Sequence, residues 1–441
     1  MCYARYNMQM GIEPELIYDN GVFFEPWFDG NHCYVALYLD FITEDEEGMS
    51  YSFDFVTSYG LTTYIESLGE TPISQDINIP NRIATYIQLR NIKQPLHVEE
   101  KQYYLLRLDS LDHTRLTREV TALYMSVYNY ADIEGGEASI PDLIPLPGMI
   151  GLVYSGPKLP DPQIPSFPNG MIGLRVNNVK RGNWNEILVN NEASVVYDIG
   201  TNKEIKQRTS YIENLIQAHS YQGKPSLIIS HWDLDHYNAL LYMSDVERLQ
   251  FSQVIAPSTL PSQTPFRLIQ KIHANANIKL SLVDNNFTLK NGFCKKIDTG
   301  NPMLNFFVCP LKMSSKRVNT NESGIIVDVD APDINILLTG DCIYNQANDA
   351  IRQSYAQINQ DKNHYLAVPH HGGGKYPDYQ IPRHCILKTA VISVDELEMD
   401  KSGKVARHRY GHPTKEVVYH FIKKHTCQLL RTDYANDDIV L

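Results

Sequence analysis

The chain of 441 residues has no long uninterrupted apolar run, no paired cysteines and no excess of positive charge. No stretch approaches the roughly 20 apolar residues that a membrane-spanning helix needs, so we expect no membrane association. The seven cysteines stand singly, without a C-x-x-C pair, which argues against a disulfide framework. The first residues lack the apolar segment and cleavage site of a signal peptide. These absences together predict a cytoplasmic protein.

The net charge of −12 argues against a protein that coats nucleic acid through bulk electrostatics. A phosphate-bearing substrate remains compatible with this charge, because a local basic lining or a bound cation can attract it. The chain is 43% hydrophobic and 20% charged, which is an ordinary composition for a soluble protein. Its length exceeds that of one ordinary core, so we expect two or three domains.

The character of the sequence changes near residue 160. Residues 1–156 are rich in tyrosine and phenylalanine and predict a mixed α/β domain, with a strand at His32–Leu39 and a helix over Arg115–Tyr130. This domain has no chemical motif, and it is a candidate surface for a protein partner. Residues 157–169 are dense in proline and predict a stiff linker. Residues 170–441 alternate short apolar strands with helices, which predicts a layered α/β domain.

The predicted elements of this second domain follow from short apolar runs and helical spacing. Strands are predicted at Ile172–Val176, Glu186–Val189, Ser194–Tyr197, Leu227–Ile229, Val254–Ala256, Leu280–Val283, Gly324–Val329, Ile334–Leu338, Leu366–Val368 and Ala390–Val394, and helices at Glu204–His219, Ser262–His273 and Thr414–Lys424.

The densest group of metal-capable side chains lies at residues 230–238, which read SHWDLDHYN. It contains His231, Asp233, Asp235 and His236, between an apolar strand and an apolar helix start. Residues two apart in an extended segment point to the same side, so the first three of these side chains can converge. Imidazole and carboxylate together form the ligand set of a hydrolytic metal centre. The alternative is a polar loop in which Asp235 caps the helix.

Three further groups follow predicted strands or precede a predicted helix. Asp341 comes after a glycine turn, His370 and His371 precede a glycine run, and Tyr410 and His412 belong to a Y-G-H-P segment. Each could be a turn, surface or helix-start residue without a chemical role. Strand-end loops gather at one edge of a layered sheet, however, and active sites are built there. We therefore expect these side chains to join the group at 230–238.

The order H-x-D-x-D-H, T-G-D, P-H-H-G and Y-G-H-P resembles the metallo-β-lactamase fold superfamily. It is most similar to the branch that contains the hydrolase domain of ComEC-type DNA-uptake proteins, and Val196–Gly200 matches a strand of that branch. The resemblance covers roughly residues 170–425. It implies a four-layer αββα sandwich, here with an additional amino-terminal mixed α/β domain, and a site for one or two divalent metal ions, zinc or manganese.

The resemblance also implies a set of metal ligands. It assigns His231 and Asp233 to a first metal and Asp235, His236 and His370 to a second metal, with Asp341 as the bridge between them. The chain departs from the commoner pattern of the superfamily in having aspartate at 233. It also lacks a histidine before the strand at 324–329, where Asn321, Glu322 and Ser323 are the candidates to complete the first site. Oxygen-rich ligation of this kind favours Mn²⁺ or Mg²⁺ over Zn²⁺.

The function implied is a metal-dependent hydrolase that uses a metal-activated water. A phosphodiesterase or nuclease is the first candidate, with a phosphodiester in nucleic acid or a nucleotide as its substrate. Asp235 is expected to hold the proton of the nucleophile, and His412 and Tyr410 to contact the scissile phosphate or protonate the leaving oxygen. The residues predicted to bind the substrate are His371, Lys404, Arg407 and Arg409; the last three lie in a basic segment of an acidic chain.

Two alternatives remain open at this point. The chain could hydrolyse a small nucleotide or a lactone-type substrate with the same metal chemistry. It could also be a binding or scaffold protein that has kept the fold with little catalysis, since fold alone does not name a function.

Overall fold

The computed structural model describes most of the chain. The described residues are 14–18, 27–45, 47–69, 83–117, 123–131, 141–146, 149–154, 159–203, 208–313, 318–354, 362–374, 377–383, 385–394, 412–435 and 437–441. Among them, no helix is both long enough and apolar enough to cross a membrane.

The amino-terminal part is built around one eight-stranded sheet. Its elements are β1 Pro14–Tyr18, β2 Trp27–Asp29, β3 His32–Asp45, β4 Gly48–Phe55, α1 Ser58–Ser67, β5 Tyr86–Ile92, β6 Gln102–Arg107, β7 Leu116–Thr117, β8 Tyr124–Asn129, β9 Leu143–Pro145 and β10 Met149–Tyr154. The strand order in this amino-terminal sheet is β7-β8-β5-β4-β3-β6-β9, with β2 paired to β3. Helix α1 packs its buried Leu61, Tyr64 and Ile65 against one face of the sheet.

Most of the remaining strands form two seven-stranded mixed sheets. One further strand joins β1 and β10 in a three-stranded sheet, and two others pair only with each other. The strands are β11 Ile172–Val176, β12 Asn185–Val189, β13 Glu192–Tyr197, β14 Ser226–Ile228, β15 Gln253–Pro257, β16 Thr259–Leu260, β17 Lys279–Val283, β18 Lys295–Ile297, β19 Leu304–Val308, β20 Lys312–Met313, β21 Val318–Asn319, β22 Ile325–Asp330, β23 Ile334–Leu338, β24 Lys362–Ala367, β25 Cys385–Ile392, β26 Gln428–Arg431 and β27 Ile439–Val440. The first sheet has the order β17-β15-β14-β13-β12-β11-β27, and the second has the order β18-β19-β22-β23-β24-β25-β26.

The helices of this part are α2 Ser210–Ala218, α3 Leu234–Tyr237, α4 Ala239–Tyr242, α5 Asp245–Arg248, α6 Gln263–His273, α7 Tyr344–Ser354 and α8 Lys415–Tyr419, which continues as a π-helical turn at His420–Lys424. Thr209 and Thr414 cap the starts of α2 and α8 with their side chains, since a threonine oxygen satisfies a backbone N–H that has no partner within the helix.

The two seven-stranded sheets share one apolar core. Alternate residues of their strands point inward, as in Val195 and Tyr197 of β13 and Val327 and Val329 of β22. The opposite faces are covered by helices: α2 and α6 contribute to the core of the first sheet, and α7 and α8 to that of the second. The chain is therefore a mixed α/β protein with several mixed sheets, which agrees with the predicted fold class at this level.

Backbone pairing links the amino-terminal part to the rest of the chain. Strand β10 pairs with β1 on one side and with β16 on the other, in the register Leu152 to Leu260. The hydroxyl of Tyr103 donates to the backbone oxygen of Pro261 at 3.0 Å. The proline-rich segment, described from residue 159, has no helix or strand between residues 159 and 168 and buries Ile164 and Phe167 in the core between the two sheets. The segment is thus packed against the domain that follows it.

Most predicted elements are confirmed, and one is wrong. All ten strands predicted after residue 170 are present, and their bounds lie within five residues of the predicted ones, as do those of the helix near 262–273. The predicted helix over Arg115–Tyr130 is absent from the described residues of that range, where β7 and β8 lie instead. Strand β8 is paired on both sides, with β5 and β7, and its side chains are buried on both faces of the sheet. Apolar residues on both faces can match helical spacing by chance, which explains the error.

The topology brings several strand ends to one edge. Strands β13, β14, β15 and β17 are parallel neighbours, and so are β23, β24 and β25. The loops that follow β13, β14, β23 and β24 contain the polar motifs of the sequence. Strand β22 is antiparallel to β23, so the turn at Asn321–Ser323 before it reaches the same edge.

Candidate metal centre

The loop after β14 is fixed by its backbone before its side chains are considered. The carbonyl of Ser230 accepts from the N–H of Ile325 at 2.9 Å, which ties the first sheet to the second. The carbonyl of His236 accepts from Ile199 at 2.9 Å. Gly200 packs directly on this loop, since a Cβ built there would lie 1.6 Å from the carbonyl oxygen of Asp235. Only glycine therefore permits this close approach of backbones.

Asp198 orients His236. Its carboxylate is fully buried at the end of β13, with a backbone φ of 61°, and accepts from Nδ1 of His236 at 2.7 Å. The backbone N–H and hydroxyl of Ser230 donate to the same carboxylate at 2.6 and 2.8 Å, and the amide of Asn183 donates at 2.8 Å. With its proton on Nδ1, His236 presents the lone pair of Nε2 to the site. Carboxylate-to-histidine pairs of this kind set the tautomer of metal ligands.

His371 is held in the same way by a backbone group. Its Nδ1 donates to the carbonyl of Ser393 at 2.8 Å, so that Nε2 faces the site. His370 and His371 both have a φ of 51°, a left-handed conformation that non-glycine residues adopt at a cost of about 1–3 kcal/mol. Two consecutive residues in this conformation aim neighbouring side chains in directions that a regular strand end would not produce.

Three imidazole nitrogens converge around Asp341. Nε2 of His236 lies 3.2 Å from Oδ1 of Asp341, and Nε2 of His371 lies 3.6 Å from the same oxygen. Nε2 of His231 lies 4.0 Å from Oδ2 of Asp341. All three nitrogens are buried, and none has a hydrogen-bond partner among the described residues. Buried polar atoms normally have partners, so three ring nitrogens without hydrogen bonds beside one carboxylate fit a divalent cation.

Two overlapping sets of ligand atoms result from this arrangement. His231, His236 and Asp341 form one, and Asp235, His236 and His371 form the other; within each set the ligand atoms lie within 4.8 Å of one another.

His370 lies beside these sets rather than in them. Its Nδ1 is 3.0 Å from Oδ2 of Asp341 and 2.9 Å from the amide nitrogen of Asn321. The structure thus brings all six predicted ligands together, but it places His371 where the sequence assigned His370. Ligation by any of them stays a prediction, and so does a substrate-binding role for His371.

The charges of the centre stabilise one another. Burial raises the pKa of the Asp341 carboxyl, but His370, His236 and His371 outweigh this effect and hold it well below its usual range. Burial lowers the pKa of His236, but Asp341 and Asp198 outweigh this effect and raise it well above its usual range. The imidazoles around Asp341 therefore favour its charged form, and Asp341 and Asp198 favour the charged form of His236.

Asp235 lies at the rim of the centre. Its Oδ2 is 4.0 Å from Nε2 of His371, and its side chain is 17% exposed. Burial raises its pKa, but Lys203, His236 and His371 lower it below its ordinary value. The carboxylate is thus ionised and reachable, as a group that holds the proton of a nucleophile must be.

The two carboxylate oxygens of Asp233 face different partners. Its Oδ1 accepts from the Thr320 hydroxyl at 2.8 Å and lies 3.2 Å from Nζ of Lys101. Its Oδ2 lies 3.7 Å from Nε2 of His231. Burial raises the pKa of Asp233, but Lys101 and His231 outweigh this effect and hold the pKa well below its usual range.

The other predicted site residues divide into two groups. His412 lies within the described residues, and the edge of one ring of the His412–His370 pair faces the other ring, with centroids 4.9 Å apart. This contact does not test the predicted catalytic role of His412, which stays a prediction. Tyr410, Lys404, Arg407 and Arg409 lie outside the described residues. Of the candidates to complete the first site, Asn321 contacts His370 and Ser323 donates to the carbonyl of Thr320.

Sequence reasoning missed three residues of the site. Asp198 carried a signal, because it ends a buried strand and precedes Ile199-Gly200, but no role was assigned to it. Thr320 lies one residue before the candidates at 321–323. Lys101 carried no signal, since it lies in the amino-terminal part, far from every motif in the chain.

Comparison with known proteins gives limited similarity. No family model matches the chain, and no curated protein matches it. Among solved structures, one similar chain is Tm1679, described as a metal-dependent hydrolase of the β-lactamase superfamily. Its TM-score is 0.36 at 13% identity, over 62% of this chain and 98% of that one. Another is a variant of the β-hydroxylase CmlA, with a TM-score of 0.33 at 11% identity, over 62% of this chain and 54% of that one. Both TM-scores lie below 0.5, so neither alignment assigns the chain to a family.

Proposed function

We propose that the chain is a metal-dependent hydrolase with a metallo-β-lactamase fold, in which the two seven-stranded sheets and their covering helices form the four layers. The observation that carries the proposal is the set of three buried Nε2 atoms, of His231, His236 and His371, around Asp341 without hydrogen-bond partners among the described residues. The motif order of the sequence supports the same conclusion. The ComEC-type branch remains a prediction from that order.

The described side chains suit a divalent cation and a water nucleophile. A bound cation would supply a Lewis acid and lower the pKa of water toward neutrality. His236 and His371 would hold the ion with Asp341, because their other ring nitrogens are already committed to Asp198 and Ser393. Asp235 would accept a proton from the attacking water, since it is ionised and partly exposed.

The substrate class that we propose is a phosphodiester. Its support is the resemblance of the motifs and the basic segment that contains Lys404, Arg407 and Arg409 in a chain of net charge −12. A cation and a basic segment together would offset the negative charge of a phosphate. His412 stacks on His370 at the same edge, where it would donate a proton to the leaving oxygen.

The test begins with the metal content of protein purified without chelator. Hydrolysis of bis-p-nitrophenyl phosphate is then measured with added Mn²⁺, Zn²⁺ or Mg²⁺. We expect bound metal and metal-dependent release of nitrophenolate, and we expect Asp235→Ala to abolish that release while thermal unfolding stays unchanged. The unfolding should be unaffected because this side chain lies at the rim of the site rather than in the core.

The matched control is Asp284→Ala, which removes an exposed carboxylate from another strand-end loop and should leave hydrolysis intact. Equal activity of Asp235→Ala and the wild type would refute the catalytic role. Metal binding without hydrolysis of this phosphodiester, but with hydrolysis of a nucleotide or lactone, would favour the small-substrate alternative. A biological phenotype unchanged by Asp235→Ala would favour the scaffold alternative.

A further inference from the structure

Lys101 extends from the amino-terminal sheet to the metal centre. It immediately precedes β6, with a backbone φ of 64°, and its N–H donates to the carbonyl of Leu39 at 2.7 Å. Its side chain is 18% exposed, and its ammonium lies 2.6 Å from Oδ1 of Asp40 on β3 and 3.2 Å from Oδ1 of Asp233. One lysine thus joins a buried carboxylate of its own sheet to a predicted ligand of the centre.

The contacts of Asp233 are those of a carboxylate whose charge is already compensated. Its Oδ1 receives both Lys101 and the hydroxyl of Thr320, which leaves only Oδ2 facing His231. Asp40 is 3% exposed and also accepts from the hydroxyl of Tyr86. Buried carboxylates are costly unless a cation and hydrogen bonds accompany them, and here the protein supplies that cation itself.

The two sides of the centre therefore differ. Around Asp341, the nitrogens of His236 and His371 are buried without hydrogen-bond partners among the described residues. Around Asp233, an ammonium is already in place. An ammonium is a compact point charge with three donors, so it can neutralise a carboxylate, but it cannot coordinate a water molecule as a metal ion does.

We propose that Lys101 takes the place of the first cation beside Asp233, so that the centre binds a single divalent ion on the Asp341 side. This proposal rests on the proposed function, because it assumes that the centre binds metal. It gives the amino-terminal part a direct role, since this part supplies the charge that completes the centre. It also accounts for the lack of a histidine before the strand at 324–329, where the candidates to complete the first site are Asn321, Glu322 and Ser323.

The experiment counts bound ions. Wild type, Lys101→Met and Lys362→Met are stripped of metal, equilibrated with Mn²⁺ and analysed for manganese per chain, with electron paramagnetic resonance to distinguish isolated from spin-coupled ions. Lys362 is the matched control, because it is a largely buried lysine paired with Asp330 away from the centre. We expect one isolated ion per chain in wild type and Lys362→Met, and two ions in Lys101→Met.

Two ions per chain in the wild type would overturn the proposal, and so would a single ion in both wild type and Lys101→Met. No bound ion in the wild type would instead refute the proposed metal-dependent function. Where Lys101→Met does not fold, the double variant Asp40→Asn/Lys101→Met removes one of the two carboxylates that the lysine compensates. In that variant, binding of a second ion supports the proposal, and binding of one ion contradicts it. If the double variant also fails to fold, the number of manganese ions per wild-type chain is the test: one ion agrees with the proposal, and two ions overturn it.

Discussion

Substitution of Asp198 by asparagine tests whether the metal site depends on a residue that does not itself contact metal. Asp198→Asn keeps the size and planarity of the side chain but removes its charge. Asp198 accepts from His236 Nδ1 at 2.7 Å and from Ser230 and Asn183. An amide has one acceptor oxygen for these donors, and its NH₂ group must face one of them. His236 then loses the partner that fixes its tautomer.

The expected magnitude follows from the nature of that partner. Loss of a group that orients a metal ligand reduces metal affinity by about 10- to 100-fold, which corresponds to about 1.4–2.7 kcal/mol. Stability should fall as well, because hydrogen bonds to a charged acceptor contribute about 1.5–3 kcal/mol each. We therefore expect a lower affinity for Zn²⁺ in competition with a chromophoric chelator, and a lower midpoint of thermal unfolding.

The control is Asp328→Asn, which neutralises another fully buried aspartate of the same domain. Asp328 accepts from Asn335 at 2.6 Å and from Asn305 at 2.9 Å, and it lies within β22 rather than in the strand-end loops of the site. This variant should lose stability while its Zn²⁺ affinity stays the same. An affinity of Asp198→Asn within about threefold of the wild type would refute the orienting role. Equal losses of affinity in both variants would show a general effect of stability instead.

Two further predictions concern the doublet and the pH dependence of stability. His371→Ala should lose more bound metal than His370→Ala, because Nε2 of His371 lies in a set of ligand atoms with Asp235 and His236; equal metal content in the two variants would contradict this. Burial raises the pKa of Asp54 from 3.8 to about 6, against hydrogen bonds from Ser262, Thr85 and Thr264. The folded pKa lies above the unfolded one, so the wild type loses stability as pH rises between these values. The stability of Asp54→Asn relative to wild type should therefore increase by about 2.4 kcal/mol from pH 4 to pH 7. Urea unfolding at both pH values measures this difference, and a difference that does not vary with pH would contradict the prediction.

The sequence predicted the strands after residue 170 well because they are short apolar runs with clear boundaries. Strands β14 and β23 are largely buried, β24 is partly buried, and all three end at polar motifs, so both their positions and the edge that they share could be predicted. Strands β16, β18, β20, β21, β26 and β27 were not predicted, because a strand of two to four residues has little periodicity. The five-residue strand β19 inside the second sheet was missed as well. The positions of the short strands depend on neighbours such as β11, which pairs with β27.

The sequence predicted which residues form the candidate site better than it predicted how their side chains are arranged. Adjacent histidines cannot be distinguished by spacing, and the choice between His370 and His371 depends on two left-handed backbone conformations. Residues from another part of the chain are beyond motif analysis altogether. Lys101 reaches Asp233 only because the amino-terminal sheet packs beside the loop after β14, and no local pattern around it indicates that contact.

Because β10 pairs with β16, a cut at the proline-rich segment separates two paired strands. A fragment that began at residue 170 would keep both seven-stranded sheets but would expose the edge of β16, which Leu152 and Val153 of β10 cover in the full chain. Exposed strand edges promote association between molecules. The same fragment would leave Asp54 behind, and with it the acceptor for the backbone N–H of Thr264 at the start of α6. The boundary at the prolines therefore marks a change in sequence character, while strand pairing and hydrogen bonds join the parts of the chain on its two sides.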